Sequence, residues 1–303
     1  MKTNNNILLL IIILFLSSVS YSFGGDELPE NKKKNKIKNN KENAPVGLTY
    51  KSGFKGKDDG FHDYFLTVQL GGFWAYNNAS IKLNSPELEG TDIDLERDFD
   101  LSNNKFFPRA DVIFRIGKRH QIAASFFNLS RKNSLVLDRT VSFGDTTFYV
   151  NSGLDAKFRL TSYGLDYRFS IIKTPLWEAG VLLGAKAFNV YARAEAHLNG
   201  YSYGVTKQYW APVPLPGVHV LVNLGKHVVL RGIGDYFQLN VNDWNFKVWE
   251  VRPGIEIYPI ENLGLSFYYH YLVANVNNVP EEDINGYFKY KISAVTGQVA
   301  LRF

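Results

Sequence analysis

The chain has 303 residues, enough for one large domain or two small ones. It has no cysteine, which excludes a disulfide framework, a thiolate metal site and a cysteine nucleophile. The formal net charge is only +5, while aromatic residues make up 15% of the chain, so the placement of these residues matters more than the overall charge.

The first 22 residues have the pattern of a secretory signal peptide. A short segment with one lysine precedes ten consecutive apolar residues at 7–16, and Ser20 and Ser22 occupy the −3 and −1 positions of a cleavage site. This apolar run is well below the ~20 residues that a membrane-spanning helix needs. We therefore expect residues 1–22 to be removed on export.

A basic stretch follows, with the sequence "NKKKNKIKNNKEN" at 31–43. It lacks aromatic residues between its lysines, and the chain is exported, so we expect no nucleic-acid partner. Its composition predicts a disordered basic periplasmic segment over residues 23–60. An anionic polymer or lipid headgroup of the cell envelope is the alternative partner for this segment.

From residue 61 to residue 303, apolar and polar residues alternate along successive segments, as in β-strands. Short and long connections also alternate, which is typical of an up-and-down antiparallel transmembrane β-barrel with tight turns at one rim and loops at the other. Ten strands are predicted, at about 62–83, 104–117, 119–140, 150–171, 176–197, 204–223, 227–240, 245–258, 262–277 and 286–303.

Two segments leave eight or twelve strands as alternatives. Pro212, Pro214 and Pro216 weaken the segment 204–223, because proline donates no ladder hydrogen bond. The stretch 84–104 is long enough for an extra hairpin. An even number of strands places both ends of the barrel at the rim with the short turns.

The composition of the two strand faces indicates which solvent each one meets. The polar face carries Gly, Ser, Ala and Tyr among its charges, whereas a water-facing sheet would favour long Lys and Glu side chains. The predicted strands are also far longer than the ~5–6 residues typical of soluble sheets. We therefore expect the apolar face to meet lipid and the surplus length to project beyond the membrane. A soluble lipocalin-like barrel with an apolar cavity is the alternative.

The C-terminal segment "VTGQVALRF" carries a specific motif. Its apolar residues recur on alternate positions and its last residue is aromatic: Val295, Val299, Leu301 and Phe303. With the signal peptide and the strands from about residue 60 onward, this end resembles the bacterial outer-membrane β-barrel proteins as a class. Gly297 departs from the pattern, because an apolar or aromatic residue is usual there.

The resemblance implies a location in the outer membrane, contact with its lipid, and recognition of the last strand by the barrel assembly machinery as an assembly signal. It points to no characterised subfamily. We expect a monomer.

The predicted inward face carries charges of both signs. Narrow barrels are filled by side chains, whereas open channels belong to barrels of ~16–18 strands, so we interpret these residues as a lumen-filling network of ion pairs. The alternative is the selectivity lining of a pore. The network comprises Arg109, Asp111, Arg115, Asp166, Arg168, Glu178, Lys186, Arg231, Asp235, Glu250, Arg252, Glu256 and Arg302.

Five acidic residues recur on alternate positions in "TDIDLERDFDLS": Asp92, Asp94, Glu96, Asp98 and Asp100. On a strand they would share one face, where hard oxygen ligands suit Ca²⁺ or Mg²⁺. They are weak metal candidates, since the segment lacks a calcium-loop motif. The alternatives are a solvated acidic loop and pairing with lumen arginines. No cofactor is expected.

Enzymatic activity has little support in the sequence, and no catalytic residue is predicted. His197 lies near the loop rim, with Asp243 as a conceivable partner, but the motifs of outer-membrane proteases and lipid hydrolases are absent. The sequence therefore predicts a non-enzymatic envelope barrel that serves as a scaffold or binds a ligand at its rim loops. A narrow channel or porin for small solutes is the second interpretation, and an outer-membrane hydrolase is the third.

Overall fold

The computed structural model describes residues 64–84, 89–101, 105–143, 146–198, 201–225, 227–241, 244–277 and 285–303. The predicted signal peptide and basic segment lie outside these ranges. The strands are β1 Leu66–Asn84, β2 Ile93–Asp94, β3 Phe106–Ile116, β4 His120–Val136, β5 Val141–Phe143, β6 Thr146–Phe148, β7 Gly153–Lys173, β8 Trp177–Leu198, β9 Tyr201–Asn223, β10 Val228–Val241, β11 Trp244–Val251, β12 Gly254–Ile260, β13 Leu263–Asn277 and β14 Asn285–Arg302; the helical turn α1 spans Leu95–Asp98.

The large sheet closes into a barrel. Each long strand pairs antiparallel with its neighbours in sequence, and β14 pairs with β1 from Thr67↔Arg302 to Asn84↔Asn285. β11 and β12 form one wall segment, because β10 pairs with both of them and both pair with β13. Counting them as one and leaving aside the two-residue β2, the wall has ten strands, as the alternation predicted.

The interruption between β11 and β12 falls at Arg252 and Pro253, where proline cannot donate a ladder hydrogen bond. Both barrel ends lie at the rim with the short connections, which we call the turn rim. Two of its turns use glycine at positive φ, Gly117 at 65° and Gly225 at 89°, a conformation that glycine adopts without strain.

At the opposite loop rim, one predicted loop is shorter than expected. The segment 198–204 was expected to be a loop, but β8 continues to Leu198 and β9 begins at Tyr201. Tyr201 and Tyr203 extend the alternating pattern of β9 with residues that favour strands, so the ladder with β8 runs to the pair Leu198↔Tyr201.

The outward face of the barrel carries a band of exposed large apolar residues, which we call the membrane belt. Trp74 is 58% exposed and Phe303 is 62% exposed. Because each strand of the closed wall pairs with a neighbour on both sides over at least part of its length, this exterior fits a membrane-spanning wall. Other members are Leu70, Leu165, Val181, Val218, Leu265, Phe267, Val295, Val299 and Leu301.

Aromatic residues on the outward face form pairs. Trp74 contacts Phe106 with ring centroids 4.9 Å apart, and Trp210 stacks on Tyr163 at 6.2 Å. Aromatic rings with a polar edge favour the membrane interfaces, so these pairs suit the ends of the belt.

No helix within the described ranges is long and apolar enough to cross a membrane.

The orientation of the apolar residues inverts along the strands, as β7 illustrates. Near the turn rim its apolar residues point outward, and its inward positions include Asp166 and Arg168. Near the loop rim the apolar residues Leu154, Ala156, Phe158 and Leu160 point inward and are buried. The barrel therefore encloses a charged zone within the membrane belt and an apolar zone beyond it.

Candidate functional site: a charged plug beneath an apolar chamber

Close to the turn rim, one buried carboxylate holds two arginines. Glu256 accepts hydrogen bonds from Arg231 Nε at 2.7 Å and from Arg302 Nη2 at 3.0 Å. Tyr258 donates to the same carboxylate at 2.9 Å, and Tyr268 also donates to it. The Arg302 guanidinium lies over the Tyr258 ring. Four strands, β10, β12, β13 and β14, are thereby joined through one acidic side chain and its partners.

A second cluster joins neighbouring strands at the same end. Arg115 contacts Glu178 at 3.0 Å, and Gln121 donates to that carboxylate at 2.7 Å. Ser170 also donates to Glu178. All four side chains are buried. The three donors replace the water that the Glu178 carboxylate loses on burial.

The middle of the lumen contains two further clusters. Lys186 Nζ lies 2.6 Å from Glu250 and 3.2 Å from Asp235, and His270 lies 3.3 Å from Glu250. Across the lumen, Asp111 accepts from Arg109 at 2.9 Å and from Arg252 at 2.8 Å, and Gln298 donates to it at 2.9 Å.

We call this set of side chains the charged plug. Each of the thirteen residues singled out in the sequence takes part in an ion pair, including Asp166 with Arg168 at 2.9 Å. Buried charges of mixed sign that pair in this way cost far less than unpaired ones would. The arrangement links strands from all around the wall.

Beyond the plug, toward the loop rim, the inward face becomes an apolar chamber of about 70 Å³. A cavity of this size has room for at least a few methylene groups. Its apolar lining comprises Ile81, Leu83, Ile93, Leu95, Phe99, Leu101, Phe143, Phe148, Ala156, Phe158, Val190, Ala192, Ala194, Val205, Tyr209 and Phe288.

A roof closes the chamber at the loop rim. It is formed by residues 90–101, with β2 and α1, and by the β5–β6 hairpin. Glu96 anchors the first part, because it pairs with the fully buried Arg131 and accepts from the Ala79 amide at 2.7 Å. The hairpin packs against the wall through Phe148, which stacks on Tyr203 with ring centroids 5.8 Å apart.

The five alternating carboxylates do not share one face of a strand, so that geometric expectation was wrong. α1 interrupts the extended backbone after Asp94, whose side chain caps the helical turn by accepting from the Glu96 and Arg97 amides. Glu96 turns toward Arg131, and Asp98 accepts from Arg139 at 2.7 Å. Within the described ranges, no group of three or more His, Asp or Glu side chains is placed to hold a metal ion.

The roof carboxylate Asp98 has a shifted pKa. Partial burial acts to raise the pKa, but hydrogen bonds from Arg97, from the Asp94 amide and from Arg139 outweigh it. The pKa of Asp98 therefore lies below its usual value, and the carboxylate is held charged against two arginines.

Three cationic residues border the chamber, Lys157, Arg193 and Lys207, and the first two are exposed. Lys207 lies on the inward side of β9, opposite Ala192, and is partly buried. Across the part of the chain that the structure describes, it forms no ion pair. It places a positive charge among the apolar side chains of the inward face.

His197 has two polar partners at the loop rim. Its Nδ1 lies 2.8 Å from Ser202 Oγ, and its Nε2 lies 3.2 Å from Asp155 Oδ2. All three side chains are exposed on the outward face of neighbouring strands. Asp243, the partner considered from the sequence, lies outside the described residues.

The sequence reasoning missed the chamber, although a signal for it was present. In β14 the inward apolar residues Tyr290, Ile292 and Ala294 occupy even positions, whereas Val295, Val299 and Leu301 occupy odd ones. Such a change of parity within one unbroken strand marks the place where the apolar side changes from the exterior to the interior.

Comparisons with known proteins agree on the fold. No family model matches the sequence, and no curated protein matches it. The structure of the outer membrane protease OmpT from Escherichia coli is similar, with a TM-score of 0.55 and 10% identity over 78% of this chain and 96% of that one.

Two further similar structures have lower TM-scores. The translocator domain of the autotransporter NalP from Neisseria meningitidis has a TM-score of 0.42 and 14% identity, over 78% of this chain and 87% of that one. The attachment invasion locus protein Ail of Yersinia pestis has a TM-score of 0.30 and 11% identity, over 78% and 97%. The closed ten-stranded wall and the similarity to OmpT show that the chain has the fold of a bacterial outer-membrane β-barrel.

Proposed function

We propose that this outer-membrane barrel binds a small apolar ligand in the chamber at its loop rim, while the charged plug closes the lumen below. The observation that carries the proposal is the apolar inner face of the wall beyond the membrane belt. A barrel that served only as a scaffold could fill this zone with paired polar side chains, as it does nearer the turn rim. Instead, large apolar side chains enclose unfilled space there.

The plug supports a binding role over a channel role. Its charges are engaged with one another, so an ion entering the lumen would have to compete with existing partners at short distances. The roof closes the other end of the same space.

The test fills the chamber with a larger side chain. Ala194 on β8 lines the chamber, whereas Ala185 on the same strand points outward into the membrane belt. We expect Ala194→Phe to weaken binding of the fluorescent apolar dye N-phenyl-1-naphthylamine to the purified barrel at least tenfold, with Ala185→Phe as the matched control. Equal binding by the wild type and Ala194→Phe, with both barrels folded, would contradict the proposal.

A rim hydrolase is the second candidate function. It is favoured by the contacts of His197 with Ser202 and Asp155, which place a hydroxyl, an imidazole and a carboxylate in the order used for nucleophilic catalysis. Ester hydrolysis by the wild type that is lost in both His197→Ala and Ser202→Ala would support it. His120→Ala, at the turn rim, is the control, and an inactive wild type rules this function out.

We also propose that the last strand is the assembly signal. Val295, Val299, Leu301 and Phe303 form an exposed outward row at the end of the chain, accessible to a partner before the barrel closes against β1. Gly297 lies in the same row and leaves it without a side chain at that point.

A further inference from the structure

Two neighbouring wall strands separate in their outer halves. β9 pairs with β10 only from Gly217 to Asn223, opposite Asp235 to Val229. Farther toward the loop rim, within the described residues, β9 is paired with β8 alone and β10 with β11 alone. Residues 211–216 and 236–241 therefore border a gap in the wall, which we call the slit.

Three prolines explain why the ladder stops. Pro212, Pro214 and Pro216 occupy alternate positions, so in an antiparallel strand their nitrogens all face the same neighbour. The ladder with β8 continues through all three, from Ala187↔Pro212 to Leu183↔Pro216. The missing donors therefore face β10, where they prevent pairing.

Gly217 marks the lower end of the slit. A side chain there would clash with the facing backbone, because its Cβ would lie 2.2 Å from the Gly234 carbonyl oxygen. The two strands thus approach closely at Gly217, and no ladder pair between the described residues connects them above it.

The slit begins at the height of the membrane belt. Pro216 is opposite Leu183, and Leu183 is opposite Tyr167; both of these side chains are exposed belt residues. The slit then passes the Trp210–Tyr163 pair toward the loop rim. It opens on the half of the membrane nearer the loops.

The slit is bordered by apolar surface on both the inner and the outer side of the wall. On the inside, Val213, Leu215 and Phe237 border it and belong to the same apolar cluster as the chamber lining. On the outside, a groove of about 640 Å³ lies just below it, lined by small and aliphatic residues that include Gly232, Gly234 and Val218. Apolar side chains therefore border the slit on both the lipid-facing and the chamber side.

We propose that the chamber is filled laterally from the outer leaflet, through the slit, by a single-chain amphiphile with an anionic head, of the fatty-acid class. This inference rests on the proposed ligand-binding function and specifies its ligand and route. The apolar side chains that border the slit accept the chain. Lys207 neutralises the head, since among the cations of the lining it is the partly buried one on the inward side, whereas Lys157 and Arg193 are exposed.

The experiment locks the slit shut with a disulfide. The register of the paired part places position 214 opposite position 238, and the chain has no other cysteine. The variant Pro214→Cys/Gln238→Cys is reconstituted in phosphatidylcholine vesicles that contain doxyl-labelled stearic acid. Electron paramagnetic resonance then measures the fraction of label immobilised by the protein. Leu165→Cys/Ala185→Cys, across an existing β7–β8 pair, is the matched control.

We expect oxidation of the lock to reduce the immobilised fraction at least fivefold, and reductant to restore it, while the control pair changes nothing. Replacing all three prolines by valine restores the missing donors and should reduce the fraction similarly, so the test does not depend on one disulfide. Lys207→Gln should weaken binding of the labelled acid at least fivefold and that of its methyl ester much less.

The outcomes separate this inference from the proposed function. If the oxidised lock and the valine variant both retain the label while Ala194→Phe loses it, the ligand enters from the loop rim and lateral entry is wrong. If Ala194→Phe also retains the label, the chamber is not the binding site and both proposals fail. Equal loss of the acid and the ester in Lys207→Gln overturns the assignment of an anionic head.

Discussion

Glu256 is fully buried, and its carboxylate is the shared ion-pair partner of Arg231 and Arg302. Because both guanidinium groups lie in the lumen, neither can recover full hydration if the acid is removed. The side chain therefore determines whether the two guanidinium groups share a negative partner or face each other without one.

We predict that Glu256→Gln destabilises the barrel by about 3–5 kcal/mol, the usual cost of breaking a buried pair from one side. Urea unfolding in phospholipid vesicles measures the change in the free energy of unfolding. Glu195→Gln is the control, because Glu195 pairs with Arg193 on an exposed face and should matter little. Equal effects of the two substitutions would show that the buried pair is no more important than a surface one.

Among the structural elements, the roof depends on charges at α1. Asp98 has a pKa below its usual value, so its contribution to roof stability is complete above its unfolded pKa of about 3.9 and is lost as pH falls through the lower folded pKa. We predict faster hydrogen exchange in residues 89–101 at pH 3 than at pH 5, after correction for the intrinsic rate. Asp98→Asn should remove most of this pH dependence, and an unchanged dependence would show that other groups control the roof.

The C-terminal strand supports a prediction about assembly. If the outward row of β14 is the assembly signal, Phe303→Ser should lower the fraction of barrel that reaches the outer membrane in a heat-modifiable form, several-fold in cells. Phe65→Ser is the matched control, because Phe65 is an exposed aromatic residue next to the start of β1 at the same rim. An equal loss in both variants would indicate damage to the rim instead of loss of a signal.

The same elements show what alternation can and cannot predict. Apolar and polar residues alternate with a period of two in both zones of β7, so the sequence predicts that this segment is a strand. The chamber depends on the change of parity between Leu160 and Tyr163, which alternation alone does not interpret. In the sequence, the only sign of the slit was the three prolines. The strand register was needed to show that their missing N–H donors face β10 and not β8. α1 was missed because its cap, Asp94, belongs to the alternating acidic row, and the arginines that pair with Glu96 and Asp98 are distant in sequence.

At the scale of the whole molecule, the lumen has two zones, the charged plug within the membrane belt and the apolar zone beyond it. Within the membrane belt the exterior must be apolar, so the wall turns its charges inward and pairs them. Beyond the belt the exterior meets water, and the interior becomes the apolar core of a soluble-type barrel. The slit lies where the two regimes meet, next to lipid on one side and to the apolar core on the other.

This division predicts that the intact barrel does not conduct. Planar lipid bilayers with the reconstituted wild-type protein should show no steady single-channel current, because the paired charges of the plug occupy the path between the rims. Replacing Lys186, Asp235 and Glu250 together by alanine removes both partners of the Lys186–Asp235 and Lys186–Glu250 ion pairs, so neither pair leaves a charge without its partner. This triple variant should show small, noisy channel openings. Steady wild-type current that this triple variant leaves unaltered would mean that ions pass beside the plug. A narrow channel for small solutes would then be the better description of the protein.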